Sequence, residues 1–296
     1  MGTPQSGIFV EGASFHHFLE YDVTASRQDA AAAVRAVLDV AAGSKVNVVI
    51  AFGPALWGSL CPGAGPDALR PFSPIDGKGR AAPANQRDLF VWVHGDHHDD
   101  VLDTALDVHR ALAAVGTLAL DERGFVYHDS RDMTGFVDGT ANPKGDDRAT
   151  AALVPEGRAG AGGAYVLTQK WVHDLDSFRA LPVSEQECVI GRTKPDSVEL
   201  TGAAMPPDSH VSRTDVKVDG VAYKMYRRSA PIGTVSEHGL YFLAFACDPI
   251  RFDVSLQRMF GVAGDGVHDR LTEFSKAVTG AYWFAPSRED LAAIGG

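Results

Sequence analysis

Apolar positions along the chain switch between helical and strand spacing, and each switch marks an element. Residues 26–42 carry Val34, Val37, Leu38 and Ala41 at helical spacing, with Ser26 as N-cap and Gly43 as the stop. Residues 8–23 before them mix apolar and aromatic side chains with His16 and His17, and read as a strand with its continuation. Residues 46–52 are a short apolar β run closed by Gly53-Pro54, and the Gly- and Pro-rich stretch 58–83 reads as a long loop. A strand over 89–94 is followed by an amphipathic helix over 96–114, with Val101, Leu102, Ala105, Leu106 and His109 on one side. Residues 125–127 are strand-like, and the polar, glycine-rich 144–163 is a connection.

The second half repeats the plan. A strand over 164–171 precedes a helix over 174–181, and a second helical piece follows Val183. Residues 196–211 read as loop, 221–226 and 240–246 as strands, and 249–260 as a helix with Phe252, Leu256, Met259 and Phe260 inward. A last helix is predicted over 267–278, with Val267, Leu271, Phe274 and Val278 on one stripe. Leu89 to Asp96 and Leu240 to Asp248 are parallel strand-to-helix units. The expected class is α+β, built from two ferredoxin-like modules, each an antiparallel sheet packed with helices, arranged like a dimeric α+β barrel. The first module spans 1–143, the connection 144–163 and the second module 164–296.

Composition narrows the function. The 296 residues are 45% hydrophobic and 22% charged, enough to bury a sizeable core. A formal net charge of −11 argues against nonspecific binding to nucleic acid or an anionic membrane. Cys61, Cys188 and Cys247 have no CxxC spacing and imply no disulfide framework, which suits a reducing cytoplasm. The first residues show no basic leader, and no apolar run is long enough to span a bilayer, so a cytoplasmic location is expected.

Candidate chemistry centres on Gly135-Phe-Val-Asp-Gly-Thr-Ala-Asn-Pro143, where Asp138 stands between glycines after two apolar residues. Such a frame lets the backbone turn sharply, and apolar neighbours take a carboxylate out of bulk water. His94, His97 and His98 with Asp99 and Asp100 are better explained by a helix start than by a metal site. His210, on a loop after Pro206-Pro207-Asp208-Ser209, has the chemistry of a metal ligand, and Arg227 stands where a strand ends. Taken singly, each is better read as an ordinary polar surface residue.

Together these segments resemble the dye-decolourising peroxidases. Gly135 to Gly139 matches that family's GxxDG motif, and His210-Val-Ser-Arg-Thr-Asp215 is similar to its axial histidine segment. Arg227-Arg-Ser-Ala-Pro-Ile-Gly233 resembles its distal arginine segment, while Met259-Phe-Gly261 and residues 278–287 resemble its C-terminal part. Gln5 to Ile8 and Asp88 to Phe90 are similar to its N-terminal half, so the likeness covers nearly the whole chain and is greatest to the bacterial B-type branch.

The resemblance implies one haem b (iron-protoporphyrin IX) per chain, with His210 as iron ligand and Asp138 and Arg227 on the distal face. It implies reduction of hydrogen peroxide through a ferryl intermediate and oxidation of small aromatic donors, dyes and phenolics among them. Arg227 is also implied as a partner of a haem propionate, and Asn142 and Arg192 as propionate or pocket contacts. By family position Asp269 is the carboxylate behind His210, with Asp265 behind it. Many relatives have asparagine two residues after the distal arginine; here Ser229 stands there, with a shorter reach to a distal water. The C-terminal Ala293-Ile-Gly-Gly296 shows no tail of the kind that docks some relatives in an encapsulin shell, and association into a homo-oligomer is left open. The competing function is a haem-handling protein with little peroxidase turnover.

Overall fold

The computed structural model describes residues 2–77 and 79–295. Strand β1 (Phe15–Val23) leads into helix α1 (Arg27–Gly43), β2 (Asn47–Phe52) and α2 (Pro54–Leu60). A small hairpin of β3 (Ile75–Gly77) and β4 (Arg80–Ala82) precedes β5 (Leu89–Gly95), α3 (His98–Leu112) and β6 (Gly116–Phe125). The second half begins with α4 (Asp147–Ala152), β7 (Ala164–His173), α5 (Leu175–Ala180), α6 (Val183–Ile190) and α7 (His210–Thr214). Short strands follow: β8 (Lys217–Val218), β9 (Val221–Ala222), β10 (Tyr226–Arg227) and β11 (Ala230–Gly233). The chain continues through β12 (His238–Ala246), α8 (Ile250–Met259), β13 (Ser275–Ala277), β14 (Ala281–Ala285) and α9 (Arg288–Ala292).

The strands pair antiparallel in the order β6-β1-β5-β2 in the first half and β11-β12-β7-β14 in the second. Two narrow seams join the halves, Ile232 opposite Gly124 and Phe284 opposite Phe52, so the sheet closes into a barrel. Gly124 makes the first seam sterically feasible, because a Cβ there would lie 2.8 Å from the Ala230 Cβ and 2.9 Å from the Phe18 ring. β10 and β13 extend β12 and β7 beyond the barrel.

Alternation along the strands gives the barrel two apolar surfaces. Phe18, Phe90, Trp92, Tyr241, Leu243, Phe245 and Trp283 fill the inside. Leu240, Phe242 and Ala244, the intervening residues of β12, belong to the outer core with residues of α1, α3 and α8. Helix α1 starts as its sequence dictates: the Ser26 hydroxyl accepts from the Asp29 N–H, and Ala30, Val34 and Val37 are buried.

Several expectations are corrected. The predicted last helix over 267–278 is absent. Asp269 caps a single 3₁₀ turn, Arg270–Glu273, by accepting from the Leu271 N–H, and β13 then pairs with β7, Ser275 opposite His173. A sheet edge within reach overrides the local helical period. Residues 116–125 form a full strand where only its end was expected; its apolar positions are half exposed, which blurs the alternation. The β3–β4 hairpin lies within the expected loop 58–83, while α2, with Pro54 at its first position, and α7 each overlap the edge of an expected loop. On α3 the inward face is Val101, Thr104, Ala105, Val108 and Leu112, whereas Leu106 is exposed. His16 and His17 are buried and hydrogen-bonded, His16 accepting from Trp92 Nε1 and His17 paired with Asp121.

Candidate active site

A cavity of about 1560 Å³, its open mouth included, lies against the outer face of β7 and β12. Leu167, Leu240, Phe242, Phe252, Leu256 and Met259 give it apolar walls. Such a space, apolar with a few aimed polar groups, is the usual form of a cofactor site. His210, Asp138, Arg227 and Arg192 all line it.

His210 opens α7, whose N-terminus is capped by Ser209, the buried hydroxyl accepting from the Ser212 N–H. His210 Nδ1 lies 2.6 Å from Asp269 Oδ2, and Asp269 is fully buried. Three further bonds immobilise Asp269: Oδ1 accepts from the Leu271 N–H, its own N–H donates to the Met259 carbonyl, and its carbonyl accepts from the Thr272 hydroxyl. A carboxylate on Nδ1 fixes the proton there and leaves Nε2 with its lone pair, the arrangement usual for a metal-ligating imidazole. Asp265 is engaged elsewhere, in a bidentate pair with the buried Arg213 at 2.7 and 3.1 Å, whose hydrogen bonds hold its carboxyl below the usual range.

Asp138 sits on the loop between β6 and α4. Gly135 and Gly139 on either side have φ of 92° and 74°, values that favour glycine, so the frame legible in the sequence is a conformational need. The half-buried carboxylate accepts from the Gly139 N–H at 2.7 Å. Arg227 ends β10, opposite Ala244 of β12. Its backbone is clamped by Asn142, whose side-chain oxygen accepts from the Arg227 N–H at 2.9 Å and whose amide donates to the Arg227 carbonyl at 2.8 Å. Asn142 therefore stands behind the arginine rather than on the cavity wall. Ser229 is also off the wall; its hydroxyl accepts from the Leu243 N–H. Arg192 is on the wall, paired with Glu199 and donating to the Ser197 carbonyl.

A second histidine belongs to the cavity and has no counterpart in the sequence-based expectations. His173, at the end of β7, bonds Ser275 Oγ through Nδ1 at 2.7 Å and Asp132 Oδ1 through Nε2 at 3.1 Å. Burial alone would raise the Asp132 carboxyl, but the charge and hydrogen bond of His173 and the Thr134 donors hold it down to about 2. Asp132 also accepts from the Thr134 N–H and hydroxyl, an Asx-type turn that the Asp-Met-Thr-Gly spacing does signal. Nothing local marks His173, whose partners lie 41 and 102 residues away.

The histidines near 94 contribute no ligand cluster. His94 is buried against Trp92, with ring centroids 3.9 Å apart, and His97 and His98 form the start of α3. Among the described residues no group of three His, Cys, Asp or Glu side chains stands ready for a bare metal ion. Among the same residues no helix is long and apolar enough to cross a membrane.

Two family models cover the chain: "Dyp-type peroxidase, N-terminal" matches residues 5–126 and "Dyp-type peroxidase, C-terminal" matches residues 129–290. The chain belongs to the Dyp-type peroxidases. It is 37% identical over 246 residues to the dye-decolorizing peroxidase of Mycobacterium tuberculosis, covering 82% of this chain and 73% of that one. DyPB from Rhodococcus jostii RHA1 superposes with a TM-score of 0.92 at 34% identity, over 99% of both chains. A variant of that protein solved in complex with heme gives a TM-score of 0.93 at 33% identity, again over 99% of both. This chain is thus a Dyp-type peroxidase, and its cavity is the candidate active site.

Proposed function

We propose that the chain reduces hydrogen peroxide with haem b held in this cavity, and that it oxidises small aromatic donors, phenolics and dyes included. The observation that carries the proposal is the His210–Asp269 pair, 2.6 Å long, on the wall of a large apolar cavity that also holds Asp138 and Arg227. The residues fit such a cofactor. His210 offers a free Nε2 to iron, apolar side chains accept a flat hydrophobic ring, and the guanidinium groups of Arg192 and Arg227 suit its propionates. When bound, haem supplies an iron that coordinates peroxide and takes up its two oxidising equivalents.

The protein's part is positional and acid–base. Asp269 accepts the Nδ1 proton of His210 and so makes Nε2 a stronger donor. Asp138 takes a proton from one peroxide oxygen and returns it to the other, which then leaves as water. Arg227 holds fixed positive charge at the bond that breaks. Asn142 keeps the Arg227 backbone in place. The Ser229 hydroxyl accepts from the Leu243 N–H, so it is held to the β12 backbone.

We also read β6-β1-β5-β2 and β11-β12-β7-β14 as two ferredoxin-like modules linked through residues 144–163. In support, each half runs strand, helix, two strands, helix, strand, with its first strand between its third and its fourth.

The test is the absorbance of the haem-loaded chain before and after peroxide. Wild type is expected to show an intense Soret band that peroxide shifts. His210→Ala should lose or loosen the haem, and Asp138→Ala and Arg227→Ala should each slow the shift at low peroxide. Haem that passes freely to apo-myoglobin, with no response to peroxide, would favour the haem-handling alternative.

A further inference from the structure

The barrel interior holds a carboxylate that the chemistry above does not use. Glu20 is 1% exposed and Tyr241 fully buried, and the Tyr241 hydroxyl donates to Glu20 Oε1 at 2.6 Å. The Thr168 hydroxyl donates to the same oxygen at 3.2 Å and itself accepts from Trp283 Nε1 at 2.8 Å. The Tyr241 ring stacks on Phe18 with centroids 4.1 Å apart. A phenol bonded to an ionisable carboxylate inside an aromatic core is a costly arrangement for stability alone.

Its position relative to the cavity is set by strand geometry. Leu240 and Phe242, the neighbours of Tyr241 on β12, line the cavity, so Tyr241 points to the opposite face of the same sheet. One layer of backbone separates the two, on the order of 10 Å from side chain to side chain.

We infer that Tyr241 and Glu20 form a buried one-electron store, which takes an oxidising equivalent from the cavity and holds it as a neutral tyrosyl radical. The store presupposes haem in the cavity and peroxide turnover there. In the loading step Tyr241 gives one electron through the sheet to an oxidising equivalent left by peroxide, which is thereby consumed. The phenolic O–H bond breaks and its proton passes along the existing hydrogen bond to Glu20 Oε1. In the return step an organic donor supplies one electron, Glu20 gives the proton back, and Tyr241 is restored.

The proton acceptor makes the store pH-dependent. Burial pushes Glu20 up to about 7 against the hydrogen bonds from Tyr241 and Thr168, which pull it down. Asp22 of β1 adds to the rise and Arg87, just before β5, opposes it. On β6, Glu122 faces Tyr241 and is paired with Lys170 of β7. Tyr241 itself is raised far above the ordinary phenol range by burial and by Glu20, so it stays protonated until it is oxidised. Below about pH 6 Glu20 already carries a proton and cannot take another, so the store is closed; it opens as pH rises through about 7.

The experiment is freeze-quench electron paramagnetic resonance on the haem-loaded full chain after peroxide, with ring-deuterated tyrosine to identify the signal and absorbance recorded in parallel. Wild type should show a tyrosine radical that grows roughly ten-fold between about pH 6 and about pH 8, following ionised Glu20. Tyr241→Phe should lose that signal, and Glu20→Gln, which accepts a hydrogen bond but not a proton, should lose it at both pH values. The same signal in either variant, or one in wild type that does not grow with pH, overturns the store while the absorbance change leaves peroxide turnover intact. An absorbance that peroxide never changes overturns both. If Tyr241→Phe does not fold, Glu20→Gln and the wild-type pH series decide.

Discussion

At the residue scale, the site is a set of backbone commitments that hold few side chains free. Asp269 spends its carbonyl and one oxygen on its own turn and its N–H on the Met259 carbonyl, so that its other oxygen has a fixed place at His210 Nδ1. Asp269→Asn should weaken haem binding about 10–100-fold, the usual cost of losing such a partner, with little change in melting temperature; a haem titration with parallel thermal melts checks this. Asn142 is the corresponding device for Arg227. Asn142→Ala leaves one N–H and one C=O of Arg227 without these partners, and should cost about 1–3 kcal/mol in urea unfolding while slowing the peroxide step. If Asn142→Ala keeps wild-type peroxide kinetics, the clamp does not position Arg227. The glycine-framed Asp138 was visible in the sequence because special φ values leave local marks, whereas His210 stood out only through its likeness to a family segment. Asp269, which the family resemblance set behind His210, is held there by a contact across 59 residues.

At the scale of elements, one-sided burial decided what could be read. Helix α1 has a cap, a stop and one buried face, and it lies where the period puts it. Ser26→Ala should lower stability by about 1 kcal/mol, measured by urea unfolding, because the Asp29 N–H then loses its acceptor. Strands β6 and β13 escaped because each answers to a partner rather than to its own pattern. β13 takes its register from β7, and α7 is shaped by the Ser209 cap and the Thr214 hydroxyl on the His210 carbonyl. The seam at Gly124 belongs to the same class. Gly124→Val would press a branched side chain against Ala230 and Phe18, and an overpacking cost of about 1–3 kcal/mol is expected in the same assay.

At the scale of the whole molecule, closure of the barrel creates two environments from one sheet: a buried aromatic interior and an outer face that carries the cavity. Glu20 is the group most affected by closure. Its folded-state pKa is raised from 4.5 to about 7 by burial, so between those values the folded chain holds a proton that the unfolded chain has released. Stability from this group is therefore greatest below about pH 4.5 and falls as pH rises to about 7, by roughly 3 kcal/mol in all. Urea midpoints should fall between pH 5 and pH 8 in wild type, and this component should vanish in Glu20→Gln. A Glu20→Gln profile as steep as wild type would assign the pH dependence to other groups.

The sequence by itself determined the alternation of strands and helices, because that rests on period and turn chemistry, while the candidate ligand, acid and cation came from the likeness of several segments together to one family. Tertiary structure alone decided the rest. Closure across Gly124 and Phe52 set where the two halves of the sheet meet, contacts over tens of residues gave Asn142 and His173 their partners, and burial raised the Glu20 carboxyl to about 7. Those properties depend on distance and dielectric between residues far apart in the chain, and neither is encoded in any local stretch of it.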